Sequence, residues 1–215
     1  MKQREIILAA ERYVQEELGQ DSSGHDYWHI YRVWQTAKKI GEAEGADLLV
    51  VELAALLHDI ADEKLNESEA VGLAKVRGWL ARQGADEAVI EHVMEIISTM
   101  SFKGGDRSGM RTLEGAVVQD ADRLDALGAV GIARTFAYSG AKGQLAHDPH
   151  LKPRTAMTRE EYRKGKSTAI NHFYEKLLKL KELMNTPYAK RMAEGRHQVM
   201  EAFLEQFYEE WEGKR

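Results

Sequence analysis

The feature that most constrains this chain is a helical spacing of apolar residues that recurs along almost its whole length. Side chains three or four positions apart share one face of an α-helix, and such sets are found in nearly every segment. The first two sets are Ile6, Ile7, Ala10, Val14 and Leu18, and Ile30, Val33, Ala37 and Ile40. Because alternating β-branched runs typical of strands are missing, the sequence predicts an all-α fold.

Glycine, proline and small polar residues divide this pattern into separate helices. A third helix is predicted in "LLVVELAALLHDIAD", and others at about 67–83, 86–100, 111–139, 159–184 and 187–212. The breaks are Gly104-Gly105, "SGAKGQLAHDPHLKPRT" and "NTP". We therefore expect a single domain over residues 1–215, with a core at about 20–139 that carries the motifs, a long loop near residue 140 and a helical part at about 156–212.

Composition narrows the classes of function. The 215 residues are 43% hydrophobic and 30% charged, which suffices for a packed core. No apolar run approaches the roughly 20 residues of a membrane span, and the first residues lack a signal-peptide core, so we expect a cytoplasmic protein with no membrane partner. A net charge of −5 argues against nucleic acid as a partner. Without cysteine, a metal would need His, Asp or Glu ligands.

Two polar residues follow the most apolar helix, in "ALLHDIADEK". His58 and Asp59 come directly after buried-type leucines, and polar groups in such a place need partners. A metal ion would satisfy both. The alternative is a hydrogen bond from His58 to a backbone carbonyl and an ion pair of Asp59 with an arginine. Asp62 lies three residues after Asp59 and four after His58, so helical spacing predicts that it projects from the same side.

A second acidic cluster lies in "EGAVVQDADRLDALGAVGIARTF". Asp120, Asp122 and Asp125 occur within a short, otherwise small and apolar helical segment. They are either solvated acids on an amphipathic helix or groups that serve a site. For Asp120, a place in a loop before the helix is a further alternative.

Two histidines lie four residues apart in "SSGHDYWHIYRVW", where a helix is predicted to begin. Asp26, between His25 and His29, is of a type that caps helices by accepting hydrogen bonds from free backbone amides. The other interpretation is that His25 and Asp26 line the same cavity as His29.

The order of these residues resembles the HD-domain superfamily of metal-dependent phosphohydrolases, which has a histidine on one helix, a His-Asp pair ending a later helix and an aspartate on a third. The segments "GHDYWHIYRV", "HDIADEK", "MSFKGG" and "VQDADRLDALGAVGIARTF" are similar to a group of small bacterial single-domain HD hydrolases. The resemblance covers most of the chain. It implies a single-domain, HD-type helical bundle with the metal ligands His29, His58, Asp59 and Asp122.

This ligand set implies one divalent ion. Two imidazoles and two carboxylates favour Mn²⁺ or Mg²⁺ and are also compatible with Fe²⁺, Co²⁺, Ni²⁺ or Zn²⁺. HD enzymes with two metals use extra histidines after the His-Asp pair, and "EHVMEIISTMSFKGG" offers only His92. We therefore expect a mononuclear site.

The resemblance also suggests roles for neighbouring residues. Asp62 is expected to act as general base or to orient the attacking water, with an ion pair to Lys64 as the alternative. Asp120 is expected to hydrogen-bond a ligand histidine or the water. Phosphate binding needs positive charge, and the candidates for substrate contact are Lys64, Lys103, Arg123 and His25. The basic stretch from Ala141 to His172 is either a solvated face or a lid over a polyphosphate.

The resulting prediction is a deoxynucleoside triphosphate pyrophosphohydrolase that uses a metal-activated water and releases a monophosphate and pyrophosphate. The alternatives are a 5′-nucleotidase for deoxynucleoside monophosphates, a phosphodiesterase, and an HD protein that binds a nucleotide or metal without catalysis. The expected partner is a small phosphorylated molecule, and the sequence indicates no oligomeric state.

Overall fold

Helices make up all regular secondary structure in the residues that the computed structural model describes, which are 2–19, 26–62, 65–100, 110–154 and 165–214. The all-α prediction is therefore confirmed. The α-helices are α1 (Lys2–Leu18), α2 (Tyr27–Glu44), α3 (Leu48–Leu57), α4 (Glu69–Arg82), α5 (Glu87–Met100), α6 (Leu113–Asp125), α7 (Gly128–Ala141), α8 (Ala169–Glu175) and α9 (Pro187–Trp211). Two 3-10 helices span His58–Ala61 and Leu177–Leu183. Over these described ranges, no helix has both the length and the hydropathy to cross a bilayer.

The chain divides into two compact units, Met1–Asp122 and Arg123–Arg215. The division falls inside α6, directly after Asp122, the last aspartate of the predicted ligand set. The domain bounds expected from the sequence, 1–215, stay a prediction.

Helix α3 is the centre of the first unit. Its residues from Val50 to Leu57 are all buried, and it packs against α1, α2 and α5. Burying one leucine contributes about 1.5–3 kcal/mol, so this helix anchors whatever follows it. Asp47 caps its N-terminus, where the carboxylate accepts hydrogen bonds from the Leu49 and Val50 amides at 2.9 and 3.4 Å.

The chain reverses its direction between α2 and α3 in a short turn. Gly45 ends α2 with φ of 75°, in the left-handed region that glycine adopts without strain. Because α3 then packs back along α2, the start of α2 lies beside the end of α3. This arrangement brings together two segments that are about thirty residues apart in sequence.

The second unit is organised around α9. That helix contacts α7 and the 3-10 helix Leu177–Leu183, and α8 contacts both of them as well. Threonine side chains cap α8 and α9 by accepting hydrogen bonds from the Asn171 and Ala189 amides. An aromatic cluster, with ring centroids 5.8–6.4 Å apart, surrounds the buried Phe173 and consists of Phe136, Phe173, Phe203 and Phe207.

One predicted helix, 111–139, is in fact two. Helix α6 ends at Asp125, and α7 begins at Gly128, whose φ is 72°. A Cβ atom at Gly128 would also lie 3.1 Å from Cβ and Cγ of Arg196 on α9. The single-helix prediction was wrong because this glycine lies in a segment that otherwise keeps helical spacing.

The predicted helix 159–184 is also wrong in its described part. Thr168 has an extended backbone, α8 is only seven residues long, and a 3-10 helix follows it. The predicted loop near residue 140 is confirmed, since residues 142–154 contain turns and bends without a helix.

Candidate metal centre

Three side chains converge where α2 begins and α3 ends. One ligand atom each from His29, His58 and Asp59 lies within 4.8 Å of the other two. His29 is in the first turn of α2, whose N-cap Asp26 accepts a hydrogen bond from the His29 amide at 2.8 Å. His58 and Asp59 begin the 3-10 helix that follows α3. The capping interpretation of Asp26 is therefore confirmed.

Ring nitrogens and carboxylate oxygens face each other in this cluster. His29 Nε2 lies 3.6 Å from Asp59 Oδ2, and His58 Nε2 lies 3.4 Å from Asp59 Oδ1. The two imidazole rings are 5.6 Å apart and nearly perpendicular. His29 and Asp59 are buried, so the cluster is largely screened from bulk water.

The tautomer of His58 suits metal binding. Its Nδ1 lies 2.8 Å from the Ala55 carbonyl oxygen, which can only accept, so Nδ1 carries the proton. The other nitrogen, Nε2, then presents a lone pair to Asp59 and His29, and this buried atom has no hydrogen-bond partner among the described residues. A backbone carbonyl that orients a ligand histidine in this way is typical of metal sites. The expected alternative, a bond from His58 to a carbonyl, thus occurs at one nitrogen and leaves the other for the site.

Asp122 joins the cluster from α6. Its Oδ1 lies 3.4 Å from His29 Nε2. Burial would raise the pKa of the Asp122 carboxyl, but the hydrogen bond with His29 and the charges of His58 and His29 lower it, and the pKa lies below its ordinary value. Asp122 thus contacts His29 but is not one of the three residues whose ligand atoms lie within 4.8 Å of one another. Together, two carboxylates and two imidazoles are a donor set that fits a divalent cation. Their role as ligands stays a prediction.

The other two aspartates of α6 are not solvated. Asp120 is fully buried and Asp125 nearly so. The loop position considered for Asp120 is wrong, because it lies within α6. Asp125 belongs to the second unit, where its carboxylate accepts a hydrogen bond of 2.6 Å from Arg134. Support of the site by Asp120 stays a prediction.

Asp62 lies just after the 3-10 helix and not on the α-helix that the sequence suggested. The α-helix ends at Leu57, and Asp62 itself is extended, with φ −62° and ψ 137°. The argument from α-helical spacing is therefore wrong. The role of Asp62 as general base stays a prediction.

The candidates for substrate contact are only partly described. His25, Lys64 and Lys103 lie outside the described residues. Arg123 is in the second unit, and its guanidinium donates to the Leu183 carbonyl oxygen. Substrate binding by these four residues stays a prediction.

One basic residue of the proposed lid has a structural partner. Arg154 donates to the Glu175 carboxylate from Nε and Nη2, at 2.9 and 2.7 Å, and its backbone amide donates to Glu175 at 3.1 Å. This charge is therefore used inside the second unit, which weakens its part in a lid. Lys142 lies 5.7 Å from the centroid of the Tyr138 ring.

Several polar contacts of the first unit were not predicted. Trp34 Nε1 donates to the buried Glu52 carboxylate at 2.8 Å, and His92 Nε2 lies 3.5 Å from Glu114 Oε2. Asn66, in the segment before α4, holds the backbone of the 3-10 helix. These contacts form only when distant segments pack together, so the local sequence does not signal them. For Asn66 alone there is a weak signal, a polar residue that follows closely after the His-Asp pair.

Comparison with known proteins identifies the family. The HD domain family matches residues 27–127, a range that contains all four predicted ligands. A crystal structure of an HD-superfamily hydrolase from Bacillus thuringiensis is 49% identical, covers 98% of both chains and superposes with a TM-score of 0.80. This chain belongs to the HD superfamily. It is accordingly a metal-dependent phosphohydrolase.

A further relative of this HD protein is YpgQ of Bacillus subtilis, an uncharacterised protein. The two sequences are 41% identical over 208 residues, which is 96% of this chain and 92% of YpgQ. The crystal structure of YpgQ in complex with ADP superposes with a TM-score of 0.79 at 38% identity and covers 98% of this chain and 97% of that one. The similarity thus extends well beyond the matched HD domain.

Proposed function

We propose that this HD protein is a deoxynucleoside triphosphate pyrophosphohydrolase. The observation that carries the proposal is the cluster of His29, His58 and Asp59, in which a buried imidazole nitrogen faces a carboxylate. The ADP complex of YpgQ supports a nucleotide with more than one phosphate as the substrate class.

His29, His58, Asp59 and Asp122 are the proposed ligands of one divalent ion. Mn²⁺ or Mg²⁺ are the first candidates, because carboxylate oxygens make up half of the donor set. The ion, when bound, would activate water and neutralise charge on a phosphate. The residues themselves supply the frame, since His29 is held by the capped start of α2 and His58 by the Ala55 carbonyl.

Asp62 is the proposed acceptor of the proton that the attacking water loses. It directly follows the 3-10 helix that carries His58 and Asp59, so its backbone is tied to theirs through the hydrogen bond from the Asp62 amide to the Asp59 carbonyl at 3.1 Å. Asp120 is proposed to orient a ligand histidine or the water, and its complete burial supports a role inside the protein.

Lys64, Lys103, Arg123 and His25 are proposed to bind the anionic substrate. Water would then attack the α-phosphorus, the bond from that phosphorus to the bridging oxygen would break, and pyrophosphate would leave. The nucleotidase, phosphodiesterase and binding-only alternatives differ from this proposal in their products.

A product assay tests the proposal. Protein stripped of metal and given Mn²⁺ is incubated with nucleoside mono-, di- and triphosphates and with a phosphodiester, and phosphorus NMR separates orthophosphate from pyrophosphate. We expect pyrophosphate from triphosphates, no product without metal and none from a His58→Ala variant. Orthophosphate from monophosphates would indicate the nucleotidase, cleavage of the diester alone the phosphodiesterase, and Mn²⁺ binding without any product the non-catalytic alternative.

A further inference from the structure

The 3-10 helix His58–Ala61 carries two proposed ligands on a turn with little support of its own. α3 ends at Leu57, and the last carbonyls of a helix lack partners within it. Hydrogen bonds in a 3-10 helix also have poorer geometry than those in an α-helix. Contacts from outside this turn are therefore needed to keep the side chains of His58 and Asp59 directed at the same metal ion.

Asn66 provides one such contact. Its Nδ2 donates to the carbonyl oxygens of Ile60 and Asp62, at 2.8 and 2.9 Å. Both acceptors are backbone carbonyls, so only the NH₂ end of the amide can make these bonds. One side chain thus joins the end of the 3-10 helix to the residue that follows it.

Gly72 allows the second contact, the close packing of α4 on the 3-10 helix, because it has no side chain. α4 packs directly on the 3-10 helix, and a Cβ atom at Gly72 would lie 2.6 Å from the Ala61 carbonyl oxygen and 2.8 Å from Ala61 Cα. It would also lie 2.8 Å from Asn66 Nδ2. Since two of these atoms belong to the backbone, a methyl group here would push α4 and the 3-10 helix apart or displace the Asn66 amide.

We propose that Asn66 and Gly72 are positioning residues for the metal centre. They hold the backbone from Ile60 to Asp62 against α4 and so fix the direction in which His58 and Asp59 point. This inference rests on the metal ligation proposed above. Groups that orient metal ligands typically change metal affinity 10–100-fold when they are removed, and this is the size of effect we expect.

The test compares four variants of the full chain after metal removal. Asn66→Ala deletes both hydrogen bonds, Asn66→Asp replaces the donor with a carboxylate of the same shape, and Gly72→Ala adds the colliding methyl group. Gly78→Ala is the matched control, because it adds a methyl group to the same helix. Among the described residues, and apart from the chain neighbours and backbone of that helix, this methyl group would meet only the end of the Arg82 side chain, at 3.3 Å. Calorimetry gives the Mn²⁺ affinity, the visible spectrum of Co²⁺-loaded protein reports ligand geometry, and thermal unfolding without metal reports stability.

The Asn66→Asp variant distinguishes a positioning role of the Asn66 side chain from a purely electrostatic effect on metal affinity. An added negative charge near the site would by itself attract a cation more strongly. Loss of the two hydrogen bonds predicts the opposite, because the carboxylate would repel the Ile60 and Asp62 carbonyls and let the turn move.

We expect Mn²⁺ binding 10–100-fold weaker, with an altered Co²⁺ spectrum, in Asn66→Ala, Asn66→Asp and Gly72→Ala, and no change in Gly78→Ala. Unchanged affinity and spectrum in both Asn66 variants would overturn the inference, even if their metal-free forms unfold at lower temperature. If Gly72→Ala does not fold, the Asn66 variants decide. A wild-type chain that binds no Mn²⁺ would overturn the proposed metal ligation and this inference with it.

Discussion

Two of the buried carboxylates, Glu175 in the second unit and Asp59 in the first, have different partners. In the second unit, the Glu175 side chain is 1% exposed and accepts hydrogen bonds from the Arg154 guanidinium and amide and from Ser167, at 2.7–3.1 Å. In the first unit, Asp59 faces the ring nitrogens of His29 and His58 at 3.4–3.6 Å.

The difference separates structure from function. A permanent cation with matched geometry neutralises Glu175, so that site is complete within the protein. Burial raises the pKa of the Glu175 carboxyl, but the hydrogen bonds from Arg154 and Ser167 lower it, and the pKa lies below its ordinary value. The ring nitrogens that face Asp59 belong to imidazoles, which bind cations when neutral, and this environment fits the role proposed for Asp59 as a metal ligand.

The largest effect is expected from Asp59→Ala. Removing the carboxylate at the centre of the cluster should reduce both Mn²⁺ binding and hydrolysis to undetectable levels while circular dichroism stays helical, because α3 is held by its buried residues. Glu67→Ala, which removes an equal charge from an exposed position, is the control and should bind Mn²⁺ normally. If Asp59→Ala bound Mn²⁺ with wild-type affinity, the contrast drawn between Asp59 and Glu175 would be wrong.

Asp62→Asn should affect the rate rather than the metal. If Asp62 accepts the proton, the variant keeps Mn²⁺ affinity and loses about 10²–10⁴-fold in kcat, as general base removal typically does. Calorimetry and steady-state kinetics measure the two quantities separately. Normal turnover would show that another group takes the proton.

Arg154→Met should affect stability rather than the metal. It leaves the Glu175 carboxylate buried without its cation, which typically costs about 3–5 kcal/mol. Urea denaturation should show this loss, while Mn²⁺ affinity of the folded protein stays unchanged. The double variant Arg154→Met/Glu175→Met should recover much of the stability, and a failure to do so would mean that the pair is not the source of the effect.

The smallest expected effect is a loss of folding stability at acidic pH that is caused by His172, close to Glu175. Burial and the charge of Lys176 lower the pKa of His172 to about 4. As the pH falls below about 6.5, the unfolded chain takes up this proton before the folded chain does, so stability is complete above that pH and declines towards pH 4, by about 2–3 kcal/mol at most.

His172→Gln should flatten that decline, measured as the free energy of unfolding in urea between pH 7 and pH 4. His150→Gln, at an exposed position, is the control and should keep the wild-type slope. Equal slopes in all three proteins would contradict the assignment to His172.

Residue types and their order were enough to predict the helical class and the residues that converge. His58 and Asp59 could be singled out because they follow the most apolar helix, whereas His29 was singled out by the resemblance to the HD-domain superfamily. Their approach to one another depends on the turn at Gly45, which the sequence signals only weakly.

Other parts could not be read from the sequence for physical reasons. The break before α7 depends on a single glycine in a helical pattern, and the 3-10 helix Leu177–Leu183 consists of good α-helix formers. The contacts of Asn66 and Gly72 with the ligand turn form only when α4 packs against it, so no local pattern encodes them.

The central claim is that water attacks the α-phosphorus of a triphosphate at this cluster, and isotope labelling tests it directly. Turnover of a deoxynucleoside triphosphate with Mn²⁺ in ¹⁸O-labelled water, followed by phosphorus NMR, shows which product carries the label. We predict one ¹⁸O atom in the monophosphate, none in pyrophosphate, and no turnover by Asp59→Ala. Label in pyrophosphate or orthophosphate, or wild-type turnover by Asp59→Ala, would contradict the account.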